Sequence, residues 1–563
     1  MGRYNLLDEP WISVLVDESG KSREVSLKEV FRNAHKYIDL AGDTKTQDFS
    51  TLRLLLAVLH TVFSRFSSDG EEYAFFKLDE RFKQVEKIRE DDLEDYKDKL
   101  CDTWFDLWES KEFPDIIQDY LEKWRDRFYL FDDKYPFYQV VNEDITSDKI
   151  SKSEGGKILG KNINRCISQS AKKTSLFSPK YELDNNKEKM KYPQMVRWLI
   201  HLQNYIGLSD KLIFGKDKYT ASKGWLFDLG GIYLKGKNLF ETLLLNFYIL
   251  NEENNNLLNI QEPCWELTSN EMIKKFLKGG YVSDVAGLYT AWSRAAYIDK
   301  DITENSIFSC KIVKLANINH QDNFIEPMTL WKYNKYGDNK DKFTPRKHQK
   351  NKSVWRNFGL LTGFEDATPS NKIRQPGIIN WLNTIEEEIG NQNVTICAAS
   401  MEDDANATSW VPVDEILDEI NVNNTVLADM NSWVVRINEV VDNTKLIIDF
   451  YYKNYLKDIL EIRNSTDKGF VETNIERIYF LIDESFKTWL SNIKKDDDPN
   501  IKIKQWNKIL KSSVINQAKS LLESGNTRDF RGTEKDGKVK NIATAYNAFL
   551  SNINKHLIVE EES

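Results

Sequence analysis

The side chains of this chain that could do chemistry are mostly lysines, and two segments have a local excess of positive charge. The first segment, 146–180, holds eight Lys or Arg against Asp148 and Glu154. These lysines suit contacts with phosphate groups, and Phe177 with the nearby Ser and Asn side chains could touch bases or grooves. The second segment, 331–356, holds nine Lys or Arg interleaved with aromatic residues. Lysine with interleaved aromatics is typical of nucleic-acid binding, although a solvated surface ribbon can have the same composition.

Two short segments combine small side chains with polar or charged ones. Residues 216–224 combine small side chains with flanking lysines, which suits an anionic ligand. The spacing of a P-loop is absent, so ATP binding is not supported. Residues 403–408 are a run of acidic, small and amide residues ahead of a helical region. An ordinary turn is the alternative interpretation of both segments.

The sequence does not predict catalytic chemistry. No G-x-S-x-G or other activating motif is present. Adjacent acids such as Asp403 and Asp404 could in principle hold a metal ion, but neighbouring acids mostly face solvent. The five cysteines and six histidines are scattered, and no cysteine pair has the C-x-x-C spacing of zinc or redox sites. His60 lies on a predicted core helix, where a packed histidine is more common than a ligand. We expect no catalytic residue, no metal and no cofactor.

Composition limits the class of protein. With 563 residues, of which 40% are apolar, the chain can form two or three domains with substantial cores. Its 78 basic and 88 acidic residues give a net charge of −10, which argues against a free nucleic-acid binder and makes local charge decisive. No signal peptide is recognisable, and no apolar run approaches the roughly 20 residues that span a bilayer. We therefore expect a soluble, cytoplasmic protein.

Hydrophobic periodicity predicts the elements that position these segments. Residues 50–66 place apolar side chains every three or four positions, as a buried core helix does, with Asp48 as the predicted N-cap. Residues 93–124 are predicted as one acidic helix, and residues 262–268 as a strand. The loop 142–186 shows no sustained period, and a loop of that length is typically functional or disordered.

The character of the chain changes after about residue 414. Helical patterns follow at 423–462, 470–493, 500–522 and 539–556. Short polar links make sequential helices antiparallel neighbours, so a four-helix bundle is the simplest packing. We predict an α+β protein, with a large mixed α/β domain over residues 1–414 and a C-terminal four-helix bundle over residues 415–563.

Several sequence blocks together resemble one known family. Residues 5–12 with 38–66 open the series, and the further blocks lie at 135–140, 223–231, 326–331 and 400–408. No single block is a chemical motif, so their number and order carry the resemblance. The chain resembles the CasA family, the large subunits of the type I-E CRISPR surveillance complex Cascade, in its Gram-positive branch. CasA proteins end in a four-helix bundle, in agreement with the periodicity.

The resemblance implies a non-catalytic subunit with three tasks. It would recognise the protospacer-adjacent motif (PAM) in duplex DNA, help to start strand separation and R-loop formation, and provide a docking surface for a recruited helicase–nuclease. The implied partners are the backbone, small and guide-processing subunits of Cascade, the guide RNA and PAM-containing double-stranded DNA, with no membrane. Two alternatives stay open: a purely structural ribonucleoprotein subunit without direct DNA readout, and an uncharacterised enzyme.

The resemblance also assigns roles to residues. Segment 146–180 matches a loop that helps to recognise the PAM, 216–224 a glycine loop that approaches it from the minor groove, and 403–408 a wedge beside it. This chain has fewer glycines in the second loop than some relatives, and no Gln in the wedge. A lysine finger of the family matches Lys311 or Lys314. The implied DNA- or PAM-binding residues are Lys172, Lys173, Phe177, Lys216, Lys218, Tyr219, Thr220, Ser222, Lys223, Lys311 and Lys314. The implied wedge residues are Ala405, Asn406 and Ala407, with Asn406 at the tip.

Overall fold

The computed structural model describes residues 2–151, 156–164, 188–208, 212–215, 219–277, 282–364, 372–406, 410–430, 432–535 and 537–557. The chain divides into two compact units. The first comprises Met1–Lys350, Lys372–Thr384 and Ile396–Asp418, and the second comprises Asn351–Asn371, Ile385–Thr395 and Glu419–Ser563. The predicted α+β class is confirmed, because helices and open sheets share the chain. The division into two domains at residue 414 stays a prediction.

The strands of the described residues are short and form small sheets. They are β1 (Arg3–Asn5), β2 (Ile12–Leu15), β3 (Ser22–Val25), β4 (Asp39–Leu40), β5 (Tyr129–Phe131), β6 (Gly156–Leu159), β7 (Gly231–Lys235), β8 (Arg294–Ile298), β9 (Ser309–Lys314), β10 (Trp331–Tyr333), β11 (Phe343–Pro345), β12 (Asn393–Asp403), β13 (Pro412–Asn423), β14 (Thr533–Lys535) and β15 (Lys538–Lys540). The three-stranded sheets have the orders β3-β2-β4, β6-β9-β8 and β13-β12-β7, and β1-β5, β10-β11 and β14-β15 pair in twos.

The helices are longest toward the C-terminus. They are α1 (Leu27–Arg32), α2 (Lys45–Phe63), α3 (Leu93–Ser110), α4 (Ile116–Lys123), α5 (Gly160–Ile163), α6 (Tyr192–Tyr205), α7 (Leu239–Asn246), α8 (Ser269–Leu277), α9 (Val285–Tyr289), α10 (Phe358–Thr362), α11 (Gly377–Thr384), α12 (Glu386–Ile389), α13 (Asn424–Ala428), α14 (Trp433–Leu446), α15 (Lys453–Ile462), α16 (Lys468–Ser491), α17 (Pro499–Glu523), α18 (Thr527–Arg531) and α19 (Ile542–His556). A π-helical turn, Ile447–Tyr452, joins α14 to α15. No helix in the described ranges is both long and apolar enough to cross a membrane.

α2 is the buried helix of the first unit, as its apolar spacing predicts. Every residue of α2 after the first is buried. Its N-cap is Thr44, whose hydroxyl accepts a hydrogen bond from the Gln47 amide at 3.2 Å. Asp48 lies in the first turn, where its Oδ1 accepts a hydrogen bond from the Gly42 amide at 2.6 Å. The predicted cap at Asp48 was therefore wrong, because the polar residues before it already belong to the helix.

Two arginines, Arg53 within α2 and Arg65 two residues beyond its end, are fully buried and paired with carboxylates. Arg53 donates to the two oxygens of Glu326 at 2.8 and 2.7 Å, and Arg65 donates to those of Glu266 at 2.6 and 3.1 Å. Burial opposes ionisation of Glu326, but Arg53 and the indole N–H of Trp225 hold its pKa below the ordinary value. Bidentate geometry gives each carboxylate two charge-assisted hydrogen bonds, which offset the cost of burying the charges.

Two predicted elements differ from the structure for identifiable reasons. The single helix predicted over 93–124 is broken into α3 and α4. α3 ends at Ser110, Lys111 has a left-handed conformation with φ 60°, and Pro114 follows, which cannot continue a helix interior. The strand predicted over 262–268 is a 3₁₀ turn, Cys264–Glu266. Pro263 precedes it and lacks the amide that a strand would donate.

The second unit contains the predicted four-helix bundle. Its first helix is α14, continued by the π-helical turn and α15, and its others are α16, α17 and α19. The Trp506 indole on α17 donates to the Thr444 hydroxyl on α14 at 2.9 Å. The rings of Phe486 and Trp506 join α16 to α17 at 4.8 Å, and those of Tyr455 and Phe549 join α15 to α19 at 5.3 Å. The bundle prediction is confirmed.

Replacing Arg53 with Met is expected to lower the free energy of unfolding by about 3–5 kcal/mol, because Glu326 would keep a buried charge without its partner. The double variant R53M/E326M should recover part of that loss, since it removes both charges. Urea unfolding followed by tryptophan fluorescence measures both, with Lys99→Met on the exposed face of α3 as the control. Equal stabilities of R53M and K99M would contradict this role of the pair.

His60 should make the protein less stable in mild acid. It is buried on α2 with its ring 4.8 Å from that of Phe247, and burial and the nearby Arg53 lower its pKa to about 3. An unfolded histidine titrates near pH 6.5, so between those values the unfolded state binds a proton that the folded state does not. The free energy of unfolding should fall as pH falls, by at most about 1.4 kcal/mol per pH unit from this group. His60→Phe should remove that part in urea titrations at pH 7 and pH 5, and an identical pH dependence in both proteins would contradict it.

Candidate nucleic-acid interface

Residues 219–222 are held by hydrogen bonds to the last residue of β9 and to the residue that follows it. The Tyr219 hydroxyl donates to the Lys314 carbonyl at 2.7 Å, and the Ser222 amide donates to the Leu315 carbonyl at 2.9 Å. Burial raises the pKa of Tyr219 to about 12, so its hydroxyl stays a donor at neutral pH. The Thr220 side chain is exposed. The predicted loop therefore ends in a segment whose backbone is held and whose outer face is open.

Close backbone packing fixes the position of Lys223. Arg294, which is fully buried, donates to the Ser222 carbonyl at 2.6 Å. A Cβ on Gly224 would lie 2.1 Å from the Asn204 backbone, so this approach requires glycine. Lys223 lies between these two constrained residues.

Lys223 belongs to a cluster of two lysines and two aspartates from separate parts of the chain. Its Nζ lies 2.5 Å from Oδ2 of Asp228. The Nζ of Lys347 lies 3.8 Å from Oδ1 of Asp228 and 2.7 Å from Oδ2 of Asp403. We call Lys223, Asp228, Lys347 and Asp403 the lysine–aspartate cluster. It joins the end of the predicted PAM-binding segment 216–224 to the start of the predicted wedge.

The charges of the cluster support one another. Burial alone would raise the pKa of Asp228, but Lys223, His320 and Lys347 together hold it below its ordinary value. Asp228 is therefore ionised at neutral pH and can bind both lysines. The Nζ of Lys347 also lies 4.3 Å from the centroid of the Phe227 ring, an arrangement in which the ring face attracts the cation.

Residues 403–406 and 410–411, which we call the wedge loop, meet at a closed neck. The Asp404 amide donates to the Val411 carbonyl at 3.0 Å, and the Asp404 carboxylate accepts from the Val411 amide at 3.0 Å. Ala405 and Trp410 have φ values of 53° and 44°, a region that such residues occupy only when their surroundings hold them there. The Trp410 ring centroid lies 4.7 Å from the Nζ of Lys223, which ties the neck to the cluster.

Two of the predicted wedge residues, Ala405 and Asn406, lie beyond this neck. Asn406 follows Ala405, and its carbonyl accepts a hydrogen bond from the Trp410 amide at 2.8 Å. Ala407 lies outside the described residues, as do Lys172, Lys173, Phe177, Lys216 and Lys218. Of the predicted site residues that the structure describes, Lys223 lies at the wedge loop, and Tyr219 and Ser222 lie against the end of β9 and its continuation.

The two candidate lysine fingers on β9 have different surroundings. Lys311 is half-buried, and its Nζ donates to Oδ1 of Asn142 at 2.9 Å. Lys314 is 8% exposed, and its Nζ donates to the Leu208 carbonyl at 3.0 Å. Lys311 could turn to an external phosphate with little rearrangement, whereas Lys314 would have to leave its buried position and its hydrogen bond to the Leu208 carbonyl. Lys311 is therefore the better placed of the two.

Sequence reasoning missed two members of the cluster. Asp228 lies inside the block 223–231 that carried the family resemblance, and Lys347 lies inside the basic segment 331–356, but neither was assigned a role. The basic segment was the only signal that pointed to Lys347. In the part of the chain that the structure describes, no group of three or more His, Cys, Asp or Glu side chains could hold a metal ion.

Comparison with known proteins decides the family. The sequence profile of the family described as CRISPR-associated protein Cse1 matches residues 5–517, which is most of the chain. The chain belongs to the Cse1 family. The resemblance to CasA inferred from the sequence blocks is thereby confirmed, since a curated relative carries both names, CRISPR-associated protein CasA/Cse1.

The relatives of this Cse1-family chain differ in how much of it they match. CasA/Cse1 of Thermus thermophilus is 29% identical over 270 residues, which are 47% of this chain and 42% of that protein. The match thus spans less than half of the curated relative's length. The crystal structure of Thermobifida fusca Cse1 has a TM-score of 0.77 at 20% identity, covering 99% of both chains. A chain of a structure named CRISPR RNA-guided surveillance complex has a TM-score of 0.64 at 12% identity, covering 98% of this chain and 100% of that one. At such identities the two structures show a shared fold.

Replacing Lys347 with Met is expected to loosen the neck of the wedge loop, because Asp403 loses its partner at 2.7 Å. Hydrogen–deuterium exchange of the amides at the neck should become about tenfold faster, which corresponds to about 1.4 kcal/mol. Lys350→Met is the matched control. Lys350 is 57% exposed and pairs with two acids near the same strands, so its loss should change exchange little. Equal acceleration in both variants would contradict a specific role of Lys347.

Proposed function

We propose that the chain is the DNA-recognition subunit of a type I-E CRISPR RNA-guided surveillance complex. In this proposal it reads the PAM in duplex DNA, helps to start strand separation and R-loop formation, and offers a docking surface to a recruited helicase–nuclease. Its partners are the other Cascade subunits, the guide RNA and PAM-containing duplex DNA. Its role is binding rather than catalysis. Membership of the Cse1 family supports the proposal, as does the fold shared with a chain named for a surveillance complex.

One observation carries the proposal furthest: the lysine–aspartate cluster joins the two segments to which DNA roles are assigned. Lys223 ends the segment proposed to read the PAM, and Asp403 begins the loop proposed to open the duplex. Lys347 and Asp228 connect them within 3.8 Å or less. Because one cluster anchors both the PAM-reading segment and the wedge loop, the two can act on adjacent base pairs. Recognition that is coupled to strand opening requires this.

The energetics of opening suit a small wedge. Each DNA stacking step lost costs about 1.4 kcal/mol on average, and RNA–DNA pairing returns a similar amount. The wedge therefore has to stabilise only the first unpaired step until guide pairing begins. Ala405 and Asn406 are small enough to enter between base pairs, and the neck between Asp404 and Val411 supplies the rigidity to hold them. Minor-groove reading by residues 219–223 suits a short backbone segment, because that groove is read largely by shape.

PAM discrimination by the reconstituted complex tests the proposal. Duplexes that differ only at the PAM should bind the native complex with clearly different affinities, since each wrong base pair typically costs about 1–3 kcal/mol. The triple variant K218Q/K223Q/N406A should bring the affinity ratio close to one while the complex still assembles around its guide RNA. The variant K77Q/K99Q, which changes exposed lysines elsewhere in the first unit, should keep the native ratio.

The outcomes separate the alternatives. An unchanged ratio in the triple variant would overturn the assignment of these residues. A native complex that assembles but binds all PAM variants equally would favour a purely structural subunit. Failure of the chain to co-purify with a guide RNA complex would overturn its placement in the assembly.

A further inference from the structure

The hairpin β10–β11 carries an exposed aromatic ring at its tip. Trp331 pairs with Pro345, and Tyr333 with Phe343, so residues 334–342 form the connecting tip. Tyr336 in this tip is 86% exposed. An aromatic ring this exposed loses the apolar contacts that normally place such rings in cores or interfaces. The hairpin therefore presents a ring face to solvent.

The hairpin that carries this ring also carries unpaired positive charge. The side chains of Lys332, Lys335 and Lys340 are exposed, and within the described residues their ammonium groups make no ion pair or hydrogen bond. The neighbouring Lys342 does have a partner, because its Nζ lies 3.0 Å from Asp322. These three free lysines share the hairpin with the exposed ring and are opposed there by the carboxylates of Asp338 and Asp341. This contrasts with the lysine–aspartate cluster, where aspartates balance both lysines.

The root of the hairpin is rigid, so the tip is held in place. Trp331 is buried, and its ring lies 5.1 Å from that of Phe324. The guanidinium carbon of Arg374 lies 3.6 Å from the centroid of the Phe324 ring. A Cβ on Gly230 would lie 1.9 Å from the Arg346 carbonyl oxygen, so the backbone packs closely where the hairpin leaves the core. An exposed group on a rigid support is the arrangement expected of a binding surface.

The tip itself is folded rather than loose. The Asn334 amide donates to the Lys342 carbonyl at 3.0 Å, and the Asp341 amide donates back to the Asn334 carbonyl at 2.8 Å. The Tyr333 hydroxyl donates to the Asp341 carboxylate at 3.0 Å. These bonds extend the pairing beyond the two strands and use the carboxylate of Asp341 internally.

From this arrangement we infer that the hairpin tip binds an unpaired nucleic-acid strand. Tyr336 stacks on a base, and Lys335 and Lys340 contact the flanking phosphates. Stacking on an aromatic side chain requires a base whose face is free, which a duplex interior does not offer. An unpaired strand offers a base face to the ring and phosphates to the lysines at the same time.

The position of the hairpin suits an unpaired strand that comes from the wedge loop. Lys347, two residues beyond β11, is a member of the lysine–aspartate cluster at the neck of the wedge loop. Tyr336 is five residues from the hairpin root, which is a reach of about 17 Å at about 3.3 Å per residue. A strand separated at the wedge loop would therefore pass within reach of the tip. This last step rests on the proposed function, whereas the binding of an unpaired strand does not.

Binding of short oligonucleotides to the full chain tests the inference. Fluorescence anisotropy with labelled dT15, rU15 and a 15-base-pair duplex should show tighter binding of the single strands. Y336A should weaken that binding about tenfold, whereas Y336F, which keeps the ring, should stay within about twofold of native. K335Q/K340Q should weaken it and reduce the slope of log affinity against log salt by about 1.4. The K77Q/K99Q control has the same change in charge and should match the native chain.

The outcomes are decisive without the assembled complex. Tighter binding of dT15 assigns a DNA strand and tighter binding of rU15 an RNA strand, and either supports the inference. Absence of single-strand binding, equal binding by Y336A and the native chain, or preference for the duplex would overturn it. If the native complex did not discriminate between PAM variants but Y336A still weakened single-strand binding, the proposed function would be overturned and this inference would stand.

Discussion

The buried carboxylate of Glu326 is the constraint on which the rest of the first unit depends. It accepts two hydrogen bonds from Arg53 of the core helix α2 and one from the Trp225 indole at 2.6 Å. A carboxylate buried this deeply is tolerated only when such donors surround it. The Trp225 ring stacks on His320 at 4.0 Å. Lys223 lies two residues before Trp225. A charge inside the core thereby fixes the backbone from which the candidate DNA-binding side chains project.

Charge is organised differently at each distance from that core. The innermost pair, Arg53 with Glu326, is fully buried, and its task is positioning. The lysine–aspartate cluster is half-exposed, and its lysines are balanced by aspartates, so it connects segments more than it attracts polyanions. The free positive charge among the described residues of this region lies farther out, on the hairpin tip around Tyr336. Because charges separated by more than about 8 Å are screened at physiological salt, this local excess can act on a nucleic acid despite the net charge of −10.

The sequence predicted what local pattern determines. The core helix and the bundle followed from apolar spacing, and Pro114 was a visible signal for the break between α3 and α4 that the interpretation of 93–124 overlooked. The cap at Asp48 was wrong because Thr44 also has a capping side chain, and local propensity does not choose between them. The contact of Lys347 with Asp228 and Asp403 could not be predicted, because it joins residues far apart in sequence and depends on how β7, β12 and the hairpin are arranged.

Photo-crosslinking within the assembled complex tests the central claim most directly. A duplex carrying a photoreactive base inside the PAM would be bound by the complex and irradiated, and the attached peptides identified by mass spectrometry. If the reader and the wedge share the lysine–aspartate cluster, crosslinks should fall within residues 219–224 and within the wedge loop, both from the same PAM position. Crosslinks confined to the helical bundle or to other subunits, with none in these two segments, would contradict the account.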